Sequence, residues 1–107
     1  MSINVTQRHN PQDEQLTPML RAIADPVRRR ILALLKQRGR CAVGRSSGMC
    51  ACDVEGRIGL SQPTISHHMA VLRKAGLVEA EKIEQWMWYR RNEKTVRALA
   101  QYFRQQL

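Results

Sequence analysis

The chain has 107 residues, a length for one small domain, and 43% of them are hydrophobic, enough for a modest core. No stretch approaches the roughly 20 consecutive apolar residues of a membrane span, and the opening MSINVTQRHNPQDEQ lacks the apolar run of a secretory signal. A formal net charge of +9, from 18 Lys+Arg against 9 Asp+Glu, favours a polyanionic partner; the basic residues are spread over several segments, which favours nucleic acid over a membrane surface. A cytoplasmic protein is expected, where thiols stay reduced, so the three cysteines point to metal or redox chemistry more than to a disulfide framework.

Residues 1–14 read as a flexible N-terminal arm, polar and aperiodic, and 15–107 as a single domain. Leu16, Met19, Leu20, Ile23 and Ala24 recur at helical spacing. Asp25-Pro26 then breaks and restarts the helix, since Asp caps and Pro fits a first turn. In PVRRRILALLKQRG, Val27, Ile31, Leu34 and Leu35 share a face, Arg28, Arg29, Arg30, Lys36 and Arg38 lie elsewhere, and Gly39 is a natural stop. RCAVGRSSG reads as an exposed loop. A short helix is expected within residues 50–58, ending at Gly59.

LSQPTISHHMAVLRKAGLV predicts a helix with Ser61 as N-cap, Pro63 in the first turn, Ile65, Met69 and Leu72 buried, and Gly76 as its end. LVEAEKIEQWMWYRRN changes the period to about two and predicts a β-hairpin with Glu84-Gln85 near the tip. Residues 93–106 form a last helix, with Val96, Leu99, Ala100, Phe103 and Leu107 apolar.

The order is mainly α with one β-hairpin. Two helices joined through GLS and followed by a hairpin describe a winged helix-turn-helix, whose second helix enters the DNA major groove. That helix presents Pro63, His67, Ala70 and Lys74, flanked by Thr64, Ser66 and Val71. Gln62 sits at the end where base edges are met, and Gln pairs with adenine as Ser and Thr pair with several bases. Arg73 and Lys74 suit phosphates. On the hairpin, Lys82, Arg90 and Arg91 suit the minor groove or adjacent backbone, with a merely solvated edge as the alternative. Trp86 and Trp88 share a strand face and read as packing. Arg28, Arg29 and Arg30 cannot share one face, so some would meet phosphate and others acidic side chains. His67 and His68, being adjacent, cannot face one metal together. No nucleophile, base and orienting group recur at catalytic spacing, so an enzyme is not expected.

GMCACDVE contains Cys50 and Cys52. On a regular helix residues i and i+2 lie about 200° apart, so the two thiols could not reach one ion from an intact turn. The segment is then either a loop, or a helix that a ligand must unwind. Three readings stand: neighbouring core residues, a redox pair in which bonding to Cys41 would be the less strained disulfide, or part of a soft-metal site.

DPVRRRILALL, CACDV and LSQPTISHHMAVLRKAGLV, with the hairpin and closing helix, make residues 16–106 resemble the ArsR/SmtB family of metal-responsive repressors. The resemblance implies a homodimer on double-stranded operator DNA with an inverted repeat, released when metal binds, and no organic cofactor. CACDV is similar to the cysteine motif of the arsenic and antimony sensors and their cadmium/lead relatives. Two departures matter. The third cysteine of the familiar arsenite site would stand at position 55, which here is Glu55; and AVGRSSGM looks inserted before the motif, with Cys41 ahead of it.

As(III) and Sb(III) take three thiolates, which Cys41, Cys50 and Cys52 would supply. The alternatives are Cd(II), Pb(II) or Zn(II) on the same thiols, redox sensing, or a nucleic-acid binder with no ligand. The closing helix, EKTVRALAQYFRQQL, has neither Asp nor His for a zinc site. Ligand binding would distort the start of the third helix and so misplace its neighbour, the recognition helix. Dimerisation is expected between the first and last helices through Leu16, Met19, Leu20, Val96, Leu99 and Phe103.

Overall fold

The computed structural model describes residues 11–41 and 48–107, with side chains over 14–36 and 48–107. Among the described residues five helices and a small sheet follow one another: α1 (Pro11–Ile23), α2 (Pro26–Cys41), β1 (Met49–Cys50), α3 (Ala51–Ile58), α4 (Gln62–Lys74), β2 (Val78–Ile83), β3 (Trp86–Arg91) and α5 (Glu93–Gln106). The sheet is antiparallel in the order β1-β3-β2, so the hairpin carries a third strand beside β3.

Helix starts follow local chemistry. Pro11 opens α1, so residues 11–14 are helical and not part of an arm; a proline at the first helical position gives up an N–H that has no partner there. Asp25 caps α2 as expected: its Oδ1 accepts from the N–H of Val27 at 2.7 Å and of Arg28 at 3.2 Å. Asn92 caps α5 in the same way, accepting from Thr95 N–H at 3.1 Å. Ser61 does occupy the N-cap of α4, but its hydroxyl pairs with the Thr64 hydroxyl at 2.9 Å and not with a backbone N–H.

Helix ends are less uniform. Gly59 and Gly76 end α3 and α4 in the left-handed region, at φ of 82° and 81°. Gly39 does not stop α2, which runs to Cys41; a lone glycine costs a helix only about 1 kcal/mol and is no barrier without a second signal. The predicted loop residues 42–47 lie outside the described residues.

The core joins Ile31 and Leu35 of α2, Met49 of β1, Val54 of α3, and Ile65, Met69 and Leu72 of α4 with Leu77, Val78 and Tyr89 under the hairpin. Leu32 is buried as well, while Val27 and Leu34 are half-buried at the margin. The two-residue hairpin turn lies at Glu84-Gln85, between the paired Ile83 and Trp86, and Glu84 takes φ of 58°, a conformation a non-glycine residue adopts at a cost.

Candidate thiol site and nucleic-acid interface

The thiol pair sits where β1 turns into α3. Cys50 is the second residue of β1 and also the N-cap of α3, with φ −65° and ψ 147°. Cys52 lies one residue inside the helix. Because Cys50 is extended, the 200° separation expected on a helix does not apply, and the two Sγ atoms stand 3.1 Å apart. The pair therefore converges with α3 intact. At the bond length of about 2.3 Å typical of zinc–thiolate coordination, two sulfurs at about 90–110° on one ion stand about 3.3–3.8 Å apart. Only a slight opening separates the free pair from that geometry.

Gly48 seats the strand. A Cβ built there would lie 2.5 Å from the carbonyl oxygen of Tyr89, so β1 can approach β3 only with glycine at this position. The ladder then pairs Met49 with Tyr89 and Cys50 with Trp88. Cys50 is buried and Cys52 exposed. Proton sharing with Cys50, some burial and the nearby Asp53 together raise the Cys52 thiol above its ordinary value. Among the described residues no three His, Cys, Asp or Glu side chains gather into a metal site. Cys41 ends α2, and its side chain lies outside the described residues. Glu55, in the third-thiol position of the familiar motif, is half-buried on α3.

α4 packs against α1, α2, α3 and β2 through its buried stripe, and turns Gln62, Pro63, Thr64, Ser66, His67, Arg73 and Lys74 to solvent. Gln62 Nε2 donates to Ser66 Oγ at 3.2 Å, which orders the start of this face. Val71, expected beside it, is half-buried against the core. The adjacent histidines part company: His67 is exposed, and His68 is half-buried with Nδ1 3.1 Å from Arg28 Nη1.

The arginines are more engaged than sequence reasoning expects. Arg28 donates to the carbonyls of Ala22 and Arg21, and Arg29 to that of Ile23, so two of the three consecutive arginines close the end of α1 through its own carbonyls. On the hairpin, Arg90 bridges Glu79 at 3.0 Å and Glu81 at 3.3 Å. Arg91 is only 12% exposed and forks onto Glu93 at 2.6 and 2.9 Å, holding that carboxyl below its usual range. Two of the three wing candidates are thus already paired, and phosphate would have to displace a carboxylate to reach Arg90 or Arg91, whereas Lys82 is exposed. Trp86 is 46% exposed at the tip, so it is not the packing residue its period suggests.

Leu16, Met19, Leu20, Val96 and Phe103 are half-buried along α1 and α5, while Leu99 belongs to the core of the single chain. Leu16, Met19, Leu99 and Tyr102 line a shallow groove between these helices. No described helix is long and apolar enough to cross a membrane. Sequence reasoning missed β1, the Gly48 contact and the Arg28–His68 pair; none has a local pattern.

Residues 25–80 match the family model described as bacterial regulatory protein, arsR family. An HTH-type transcriptional regulator of Methanocaldococcus jannaschii is 38% identical over 76 residues, covering 71% of this chain and 76% of that protein. The arsenic resistance transcriptional regulator ArsR1 of Pseudomonas putida is 35% identical over 79 residues, which is 72% of this chain but only 56% of that protein's length. Among solved structures, the homodimeric winged helix-turn-helix DNA-binding domain of a possible ArsR-family regulator from Mycobacterium bovis superposes with a TM-score of 0.69 at 24% identity, covering 94% of this chain and 82% of that one.

Proposed function

This chain belongs to the arsR family of bacterial regulatory proteins, and from that membership we propose that it represses transcription as a homodimer on operator DNA, releasing it when As(III) or Sb(III) is captured by Cys50, Cys52 and Cys41. Its relatives are transcriptional regulators and not enzymes. The observation that carries the inducer reading is the 3.1 Å approach of the Cys50 and Cys52 sulfurs at the start of α3. α3 packs on α4, so a ligand that widens this pair acts one helix away from the exposed polar face. A coupling of about 1–3 kcal/mol would weaken operator binding by about 5- to 150-fold.

As(III) needs a third thiolate, and Cys41 at the end of α2 is the remaining cysteine. Cytoplasmic reduction keeps all three as thiols. The homodimer is formed through α1 and α5, and the duplex read by α4 carries an inverted repeat to match the two-fold axis.

The reading is tested by selecting a duplex from a randomised library and titrating arsenite into its complex with the protein, followed by fluorescence anisotropy. Undiminished affinity at saturating arsenite overturns it. X-ray absorption on the arsenic-loaded protein should count three sulfur neighbours, falling to two in Cys41→Ser; an unchanged count removes Cys41 from the site. Proton release separates the metalloid from its divalent rivals. Arsenous acid, As(OH)3, exchanges three hydroxyls for three thiols with release of three waters and no net proton. A divalent cation binding two thiols releases two protons, so its affinity rises with pH while the Cys52 thiol remains protonated.

A further inference from the structure

Arg28 stands where α1, α2 and α4 meet. Its Nε donates to the Ala22 carbonyl at 2.7 Å and its Nη2 to the Arg21 carbonyl at 3.2 Å, at the end of α1. Its backbone N–H donates to the Asp25 cap at the start of α2. Its Nη1 lies 3.1 Å from Nδ1 of His68, at the middle of α4. A guanidinium has no acceptor, so Nδ1 must accept and the imidazole must be neutral, with its proton on Nε2.

We propose that Arg28 is a positioning residue for DNA recognition: it ties the reading helix α4 to α1 through neutral His68 and does not itself contact phosphate. This rests on the reading of α4 as the DNA-contacting helix. Since α1 is also the proposed dimer helix, the tie sets how the two reading helices of a dimer face successive grooves. The fork geometry matters as much as the charge. Lysine in place of Arg28 keeps the cation but cannot serve two carbonyls and an imidazole in three fixed directions.

The charged and titratable groups facing His68 are Arg28 and Asp25 from the α1–α2 junction and His67 from its own helix. Burial lowers the His68 value, Asp25 opposes this, and Arg28 and His67 add to it. His68 is therefore neutral at pH 7. Acidification below its depressed value places a proton on Nδ1, removes the acceptor and sets two cations against each other. Asp25 compensates only in part, being already engaged by two backbone N–H groups.

The test uses the full chain and the selected duplex, with anisotropy from pH 5 to pH 8 over a range of salt, and sedimentation to follow the dimer. Arg28→Lys should weaken binding by about 10-fold or more at pH 7.5, the loss expected for hydrogen bonds to a charged group, with dimerisation, helicity and the salt slope unchanged. His68→Gln, which keeps a carbonyl acceptor and cannot titrate, should bind like the parent at pH 7.5 and more tightly than it once the pH falls below the His68 value. His68→Ala should lose affinity at both. The proposal is overturned if Arg28→Lys binds like the parent, or if its salt slope falls by about one as for a lost phosphate contact. It is equally overturned if His68→Gln follows the parent's pH profile. Should Arg28→Lys not fold, the two His68 variants decide. A Gln62→Ala/Lys74→Ala control separates the premise: unchanged affinity there sinks the reading of α4 itself, whereas loss there with a normal Arg28→Lys sinks only the positioning role.

Discussion

At the α1–α2 junction the turn is made by side chains. Asp25 caps one helix, Arg28 and Arg29 close the other, and each of these three side chains has a backbone partner. At the β1–α3 junction the turn is made by backbone pairing and by the absence of a side chain at Gly48. The N-cap there makes no side-chain hydrogen bond to the backbone of α3, and the two sulfurs have chiefly each other. A junction whose side chains are paired in this way resists change and suits a brace. One held by a close backbone approach, with one buried and one exposed sulfur that engage chiefly each other, is open to an incoming thiophile from the Cys52 side.

The sharpest break of this comparison is at the sulfurs. Cys52→Ser should reduce the arsenite response by more than about 10-fold, the scale of a lost allosteric coupling, while duplex binding without arsenite stays unchanged. If DNA binding falls with it, the thiol junction is part of the framework and not a separable switch. Next comes the pair of glycines around it. Gly48→Ala drives a Cβ into the Tyr89 carbonyl and should cost about 1–3 kcal/mol by urea unfolding. Gly56→Ala, inside α3 with nothing within 4 Å of its Cβ, should instead stabilise by about 0.5–1 kcal/mol.

The two junctions should also fail at opposite ends of the pH scale. Desolvation pushes the Asp25 carboxyl up, but the Arg28 and Val27 N–H groups and the Arg28 charge bring it below its ordinary 3.8. A depressed acid contributes stability that is present above its unfolded value and lost as pH falls through the native one, here below about pH 4. The Cys52 thiol is raised above its ordinary 9.0, so its contribution is present below that value and lost as pH rises past it. Unfolding melts at acid and alkaline pH, with Asp25→Asn and Cys52→Ser flattening one limb each, would sharpen the contrast. The smallest effect is expected on the hairpin. Arg90→Ala should change the slope of log affinity against log salt by less than about one, because Arg90 is committed to Glu79 and Glu81.

What could be read without coordinates divides along the same line. α4 is legible because its stripe of Ile65, Met69 and Leu72, its Ser61 start and its Gly76 end all lie within one short run. The Asp25 cap is legible for the same reason. The thiol geometry is not, because Cys50 is extended while Cys52 is helical, and β1 is too short to show any period. Gly48 reads as loop composition until the carbonyl of Tyr89, far along the chain, is set beside it. Arg28 reads as one of three equivalent cations; its distinction depends on His68, forty positions away. Arg90 and Arg91 read as free basic residues because their acidic partners become neighbours only through the hairpin register and the start of α5.

The β1–β3 ladder has an optical consequence. It sets Trp88 directly across from Cys50, and side chains opposite each other in such a pair have their Cβ atoms about 5 Å apart on the same face. A heavy atom bound at Cys50 would lie close enough to the indole to quench its emission, and Trp86→Phe, which removes the exposed tryptophan two residues along the same strand, should isolate that signal. The protein thus carries its own unlabelled probe, and stopped-flow fluorescence could time inducer capture separately from departure of the DNA.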